Sequence, residues 1–246
     1  MKYYILSDIH SNLEALEAVL DDAGRRGKGR FVILGDVIGY GASPNEVIER
    51  IRELEQPLLI RGNHDRVIRQ DGMNDEFNAA AQAAVMWTKN LLSEESRRFI
   101  EALREGPIIV DDVFMAAHGT PLNEDDYIFS EYDAMDVFMK TDFRICFFGH
   151  THYPIIFVLE GDAVSYYFPR KGEVKVKIEE GPRYLLNPGS IGQPRDRNPD
   201  ASYALYDSDE DVISFLRVPY DVEKAKEKIL KAGLPAMLAT RLSFGL

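Results

Sequence analysis

At 246 residues, with 45 % apolar side chains, the chain is long enough for one sizeable core and has no compositional mark of disorder. Its formal charge is −12, from 29 Lys and Arg against 41 Asp and Glu, and no dense basic block is present. That disfavours a long nucleic-acid partner, which selects for a cationic stripe, although a local basic rim would still be compatible.

One cysteine, Cys146, excludes an intrachain disulfide and a thiolate metal site, and its apolar neighbours mark it as a small buried residue. Residue 2 is charged, no secretory leader is visible, and no apolar run reaches membrane-spanning length. A cytoplasmic protein without membrane contact is the expectation.

Taken in chain order, the first half alternates short apolar runs with helical periodicity. Tyr3–Leu6 predicts a strand, and Leu13, Leu16 and Leu20 mark one face of a helix. Phe31–Leu34 predicts a second strand. Ser43-Pro44-Asn45-Glu46 then reads as a capping box with proline at the first helical position, followed by the stripe Val47, Ile48, Ile51 and Leu54. Pro57–Ile60 predicts a third strand, and a long helical region follows over roughly 75–104, with Trp87, Leu91 and Leu92 as a core or dimer stripe. Strand–helix–strand order implies parallel strands joined by crossovers, and uniformly apolar runs imply cover on both faces.

Val113–Ala117 and Ile145–Phe148 predict two more buried strands. Beyond Tyr153 the pattern turns to short strands between turn residues. Val174–Ile178 alternates strictly, as a half-exposed strand does. Ala201–Tyr206 and Val212–Leu216 predict the last strands, and a helix over about Asp221–Ala232 closes the chain. One α/β domain over 1–246, built on two sheets, is the simplest account.

Five apolar runs end in the same polar punctuation: Ser7-Asp8-Ile9-His10, Gly35-Asp36, Gly62-Asn63-His64-Asp65, His118-Gly119 and Gly149-His150-Thr151-His152. In open α/β sheets, ligands bind beyond the carboxyl ends of the strands, so these residues converge if the strands are neighbours. All five histidines of the chain, His10, His64, His118, His150 and His152, lie in these segments. Scattered surface or core histidines would not sort this way. Asp8 with His10, and His150 with His152, are two apart, and in extended chain each pair projects to one side. Oxygen and imidazole donors without sulfur suit Mn, Fe, Zn, Co or Ni. Two divalent ions bring four positive charges against two from Asp8 and Asp36. The surplus attracts a phosphate and lowers the pKa of a bridging water.

The ordered set resembles the calcineurin-like metallophosphoesterase superfamily, over residues 8–152, and Asn187–Arg195 is similar to a segment of its small prokaryotic members. The resemblance implies a fold of two mixed β-sheets packed as a sandwich and flanked by helices, in four α-β-β-α layers. It implies two metal ions, one held by Asp8, His10 and His152, the other by Asn63, His118 and His150, with Asp36 bridging. It further implies hydrolysis of a phosphodiester or phosphomonoester by a metal-bridging hydroxide, with His64 at the leaving oxygen. A small phosphate ester would be the substrate, and a homodimer is common among such proteins.

One position departs from the pattern. Many members carry a second aspartate three residues after the bridging one, where it orients the catalytic histidine; here Gly39 stands there. Asp65 either substitutes for it or caps a turn. Among further candidates, Asn12 either contacts phosphate or caps the following helix, and Arg66 either grips phosphate or is solvated at a helix start. Arg195 either faces the metals, with Asn187, Gly189 and Ser190 on one rim, or pairs with Asp196 or Asp200. Tyr40 either lines the mouth or packs beneath it. The competing function is a non-catalytic metal-binding scaffold for a protein partner, which would be marked by missing ligands.

Overall fold

The computed structural model describes residues 1–69, 77–169 and 172–246. In the first half, β1 (Lys2–Leu6), α1 (Leu13–Arg26), β2 (Arg30–Ile33), α2 (Pro44–Arg52), β3 (Leu58–Leu59) and α3 (Asn63–Arg66) alternate. Then come α4 (Ala79–Leu91), α5 (Glu94–Ala102), β4 (Ile108–Val110), β5 (Phe114–Ala116), α6 (Glu131–Lys140) and β6 (Ile145–Phe147). The rest comprises β7 (Ile155–Glu160), β8 (Ala163–Tyr167), β9 (Val174–Lys177), β10 (Arg183–Asn187), β11 (Ala201–Asp207), β12 (Val212–Val218), α7 (Val222–Lys231) and α8 (Ala236–Leu242).

Two six-stranded mixed sheets result, in the orders β3-β2-β1-β11-β12-β9 and β4-β5-β6-β10-β7-β8. β1, β2 and β3 are parallel, with Tyr4 opposite Phe31 and Val32 opposite Leu58, as the crossover helices require. β5 and β6 are parallel in the other sheet. The five site-bearing runs therefore do not belong to one sheet; they are split three and two between sheets that face each other.

Period-two alternation along β1 accounts for the layering. Tyr3 and Ile5 join Val32, Leu34, Phe114, Phe147 and Leu186 in the core between the sheets. Tyr4 and Leu6 point the other way, against Leu16, Val19, Ile48 and Ile51 of α1 and α2. On the outer face of the second sheet, Cys146, Phe157 and Leu185 pack on Ala134, Val137 and Phe138 of α6. Between the sheets Tyr3 meets Phe114 edge-on at 5.1 Å, and Phe114 meets Phe147 of its own sheet edge-on, also at 5.1 Å. The architecture is thus helix, sheet, sheet, helix. No helix among the described residues is long and apolar enough to cross a membrane.

Several local expectations are corrected. The helical region over 75–104 is two helices, α4 and α5, because Ser93 caps the second through Ser96 N–H; residues 75 and 76 lie outside the described ones. The Trp87–Leu92 stripe divides accordingly: Leu92 enters the α1–α2 core, Trp87 packs with α7 and α8, and Leu91 is exposed. α2 begins at Pro44, yet Ser43 makes no side-chain cap bond; its hydroxyl instead accepts from Lys228 Nζ at 3.1 Å. The chain does not close with α7, since α8 follows it. The helix α6 was unforeseen, although Ser130 and Asp133 form a capping box at its start.

Candidate metal centre

Seven polar side chains collect where β1, β2 and β3 of one sheet and β5 and β6 of the other end. They do not arrive by strand alternation. Asp8 and His10 lie beyond β1 at φ +53° and +48°, Asp36 at +52°, and His150 and His152 at +65° and +62°. Each such left-handed residue costs about 1–2 kcal/mol. The turns are held by backbone bonds from His10 N–H to Asp36 O (2.9 Å), Ser11 N–H to Val37 O (3.0 Å) and Asp8 N–H to Gly35 O (3.2 Å). Gly149 lies so close to Ser7 Oγ that any Cβ there would collide with it, so a side chain would push the two loops apart.

The donor atoms form two groups that share one residue: Asp8, His10, Asp36 and His152, and Asp36, His118 and His150, with the ligand atoms of each group within 4.8 Å of one another. Asp36 spans them, its Oδ2 3.5 Å from His10 Nε2 and its Oδ1 3.6 Å from His118 Nε2. Asn63 Oδ1 lies 3.2 Å from His118 Nε2. All seven residues are buried.

The surrounding bonds aim the ligand atoms inward. Nδ1 of His10, His118 and His152 each faces a backbone carbonyl, of Ile38 (3.1 Å), Leu34 (2.8 Å) and Gln193 (2.7 Å). Donation of Nδ1–H to those carbonyls leaves a lone pair on each Nε2, the arrangement common to imidazole metal ligands. Two such nitrogens, of His10 and His152, then face each other at 3.1 Å, a repulsive contact that a cation between them would relieve. Asp8 Oδ2 accepts from Ser7 Oγ (2.6 Å) and His150 N–H (3.1 Å), whereas Asp8 Oδ1 and His150 Nε2 are buried without a hydrogen-bond partner among the described residues. Burial raises Asp8 above the usual carboxylate range; it raises Asp36 well above it, with the Asp8 and Asp65 carboxylates adding to the effect. Burial also drives His10 and His152 well below the usual imidazole range, and His150 down to about 2. Neutral imidazoles and hard-to-ionise carboxylates, both closed off from water, fit a bound cation, which reverses the penalty on the charged carboxylates. The donor set thus fits metal ions.

His64 stands beside the cluster, its imidazole pushed down to about 3 by burial, then by Arg195 and His118. Its ring stacks on Phe77 (4.5 Å, 26°), tilts against Tyr40 (4.6 Å) and meets His10 edge-on (4.9 Å). Its Nδ1 has no hydrogen-bond partner among the described residues. Among the described residues, packing and not a carboxylate orients it. Gly39, at φ +109°, is part of that packing: a Cβ there would sit 2.6 Å from His64 Nδ1. Asp65 does not take the missing aspartate's place. It accepts the backbone N–H groups of Gly62 (3.0 Å), Ile38 (3.2 Å) and Val37 (3.3 Å), tying the ends of β2 and β3 together.

The remaining candidates separate clearly. A cavity of about 140 Å³ over the cluster is lined by Asp36, Asn63, His64, His150 and His152, and by Tyr40, Arg195 and Arg241. Arg195 pairs with neither nearby aspartate; Asp196 is bonded to Arg217, and Arg195 Nη2 lies 3.2 Å from Gln193 Oε1. Asn12 is not on this cavity: it caps α1 through Ala15 N–H (3.2 Å) and donates to Gly192 O (2.9 Å). Arg66 is also withdrawn, forked onto Asp125 at 2.8 and 2.9 Å and bonded to Glu124. Of the second rim, Asn187 donates to Gly149 O (2.7 Å) and Ser190 to Asp8 O (2.8 Å), so both brace the loops behind the cluster. Arg241, on α8, was not foreseen. No motif surrounds it, and only the packing of α8 on the Tyr40 loop brings it to the cavity.

A buried Asp–His–Asn cluster at the strand ends of a four-layer sandwich defines a metal-binding α/β protein. The calcineurin-like phosphoesterase superfamily domain matches residues 1–211, and the chain belongs to that superfamily. An uncharacterised protein of Methanocaldococcus jannaschii is 40 % identical over 248 residues, 98 % of this chain and 97 % of its own length. A phosphodiesterase of Escherichia coli, YfcE, is 29 % identical over 218 residues, 85 % of this chain and 89 % of that one. Among solved structures, a metallophosphoesterase from Sphaerobacter thermophilus superposes with a TM-score of 0.87 at 37 % identity, covering 100 % of this chain and 99 % of the other.

Proposed function

We propose that the chain is a dinuclear-metal hydrolase of small phosphodiesters. The observation that carries this reading is the shared carboxylate: Asp36 presents one oxygen to each of two buried donor groups. Asp8, His10 and His152 would hold one ion with Asp36, and Asn63, His118 and His150 the other. Two such ions, when bound, supply the positive charge that activates water and neutralises a phosphoryl group. Arg195 and Arg241 line the same cavity and would grip the non-bridging phosphate oxygens. His64, held by Phe77 and Tyr40, would hold or donate a proton at the leaving oxygen. The chain's net charge of −12 leaves these two arginines as a local cationic rim, suited to a small anion more than to a polymer. The relative named a phosphodiesterase supports a diester over a monoester.

Manganese-loaded protein should cleave bis-p-nitrophenyl phosphate, and Asp36→Asn should lower turnover at least about 100-fold. Turnover no higher than that of Asp36→Asn, with two metals measured in the wild type, would refute the reading.

A further inference from the structure

Beside the cluster cavity lies a larger one, of about 490 Å³, for which the hydrolytic chemistry has no use. Its walls are Phe129, Tyr153, Pro154, Ile155 and Phe168, with Arg195 at its edge. Arg195 also lines the cluster cavity, so the two spaces are separated by the span of one side chain. A concave, mostly apolar space of this size with a few charged groups at one end is typical of a small-molecule site.

A run of aromatic rings connects the spaces. Tyr127 stacks on His150 at 4.0 Å and 29°. Phe129 stacks on Tyr127 at 5.3 Å and 8°, and Tyr153 meets Phe129 edge-on at 6.2 Å. The segment is anchored by Ile128, only 1 % exposed, while its neighbours Tyr127 and Phe129 are 48 % and 54 % exposed. The buried residue between them anchors the two half-exposed rings, of which Tyr127 lines the cluster cavity and Phe129 the larger one. The polar edge is cationic. Asp196 is neutralised by Arg217, whereas Arg195 and Arg197 remain on the wall, and Arg195 Nε is buried without a partner among the described residues.

From this continuity we infer that the second cavity receives the organic group of the substrate, and that this group carries a planar ring system, as a nucleoside does. Resting on the phosphodiesterase reading, this specifies its substrate: a phosphodiester whose phosphate sits at the cluster and whose retained alcohol places a flat ring between Phe129, Tyr153 and Phe168. Arg195 holds the phosphate at the junction. A methyl ester fills the first space and leaves the second empty.

The test compares thymidine 5′-p-nitrophenyl phosphate with p-nitrophenyl methyl phosphate on the manganese-loaded protein. Both release p-nitrophenolate, so the ratio of their kcat/KM values reads the retained group alone. The expected ratio favours the thymidine ester about 5- to 150-fold, the range ring stacking supplies. In Phe129→Ala and, separately, Phe168→Ala, the ratio should fall at least about fivefold, and general damage cancels in it. Calorimetric binding of thymidine 5′-monophosphate against methyl phosphate gives the same comparison without turnover. Equal turnover of the two esters would overturn the inference and leave the phosphodiesterase reading standing. No turnover of either ester, with the nucleotide still binding more tightly and Phe129→Ala abolishing the difference, would refute the phosphodiesterase reading and keep the cavity's assignment.

Discussion

Replacing Gly39 with alanine tests whether packing alone sets His64. Gly39 has φ +109°, and its added Cβ would lie 2.6 Å from His64 Nδ1 and 3.1 Å from His10 Nδ1. The backbone strain is about 1–3 kcal/mol for a side chain in this region. The Cβ would also sit roughly an ångström inside ordinary contact with the imidazole, and overpacking of that kind costs about 1–3 kcal/mol. The sum, about 2–6 kcal/mol, corresponds to a fall in Tm of roughly 4–24 °C for a chain this long. Because His64 is displaced by a fraction of an ångström, turnover of a diester should fall by about tenfold to 100-fold. Thermal denaturation, metal content and kcat on bis-p-nitrophenyl phosphate would be measured on the same preparations. The double variant Gly39→Ala/His64→Ala separates strain from overlap. Strain persists in it and the overlap with His64 does not, so the cycle should show a coupling of about 1 kcal/mol or more. Strictly additive single and double variants, or a Tm for Gly39→Ala within about 1 °C of wild type, would show that Gly39 is not needed for room beside His64.

Metal loading should stabilise the protein: at one hundred times Kd, each site adds about 2.7 kcal/mol, and an unchanged Tm after chelation and dialysis would contradict the buried-ligand reading. His118→Ala removes a donor only from the group of Asp36, His118 and His150. Metal analysis of that variant should fall from about two ions per chain to about one, and loss of both would show that the groups do not bind separately. Asp22 tests the outer layer. Burial raises its pKa, but hydrogen bonds from Tyr203 and Arg26 outweigh that and carry it below the usual value. A depressed carboxyl stabilises above its unfolded pKa of about 3.9, and that stability is lost as pH falls through the folded value. Asp22→Asn should therefore cost about 1–2 kcal/mol at pH 7, with the gap to wild type closing below about pH 4. A gap unchanged at pH 3 would show that the charge is not what stabilises.

The positions of the chemistry were legible because the site residues follow apolar runs, and a run followed by a polar turn is a local pattern. Their approach to one another was not, since β1 and β6 lie in different sheets and Asp8 reaches His152 across 144 positions of chain. The two-residue spacings suggested extended chain, but both pairs stand in left-handed turns, where loop contacts, not strand geometry, dictate φ. Asn12 and Arg66 could not be resolved locally for the same reason. Their partners, Gly192 for one and Asp125 for the other, are distant in sequence. Arg241 lies on a seven-residue helix with too short an apolar stripe to read, and its place depends on α7 and Tyr40. Conversely, Ser130 and Asp133 did encode a helix start that the apolar periodicity alone passed over.

The split of the site between two sheets links its chemistry to the fold. Each donor group takes residues from both sheets: Asp8, His10 and Asp36 from the ends of β1 and β2 meet His152 beyond β6, and Asp36 meets His118 and His150 beyond β5 and β6. Neither sheet alone presents more than a partial set, so the site exists only after the sandwich has closed. Tyr3 and Phe114, whose rings meet across the two sheets at 5.1 Å, therefore bear on the separation of the ligands although neither is itself a ligand. An ion bound by both halves would in turn hold the sheets together at their strand ends, where the polar cluster otherwise weakens the interface. Strained turns, facing lone pairs and raised carboxylates are all unfavourable for folding by themselves, and they gather at the one place where a cation would offset them.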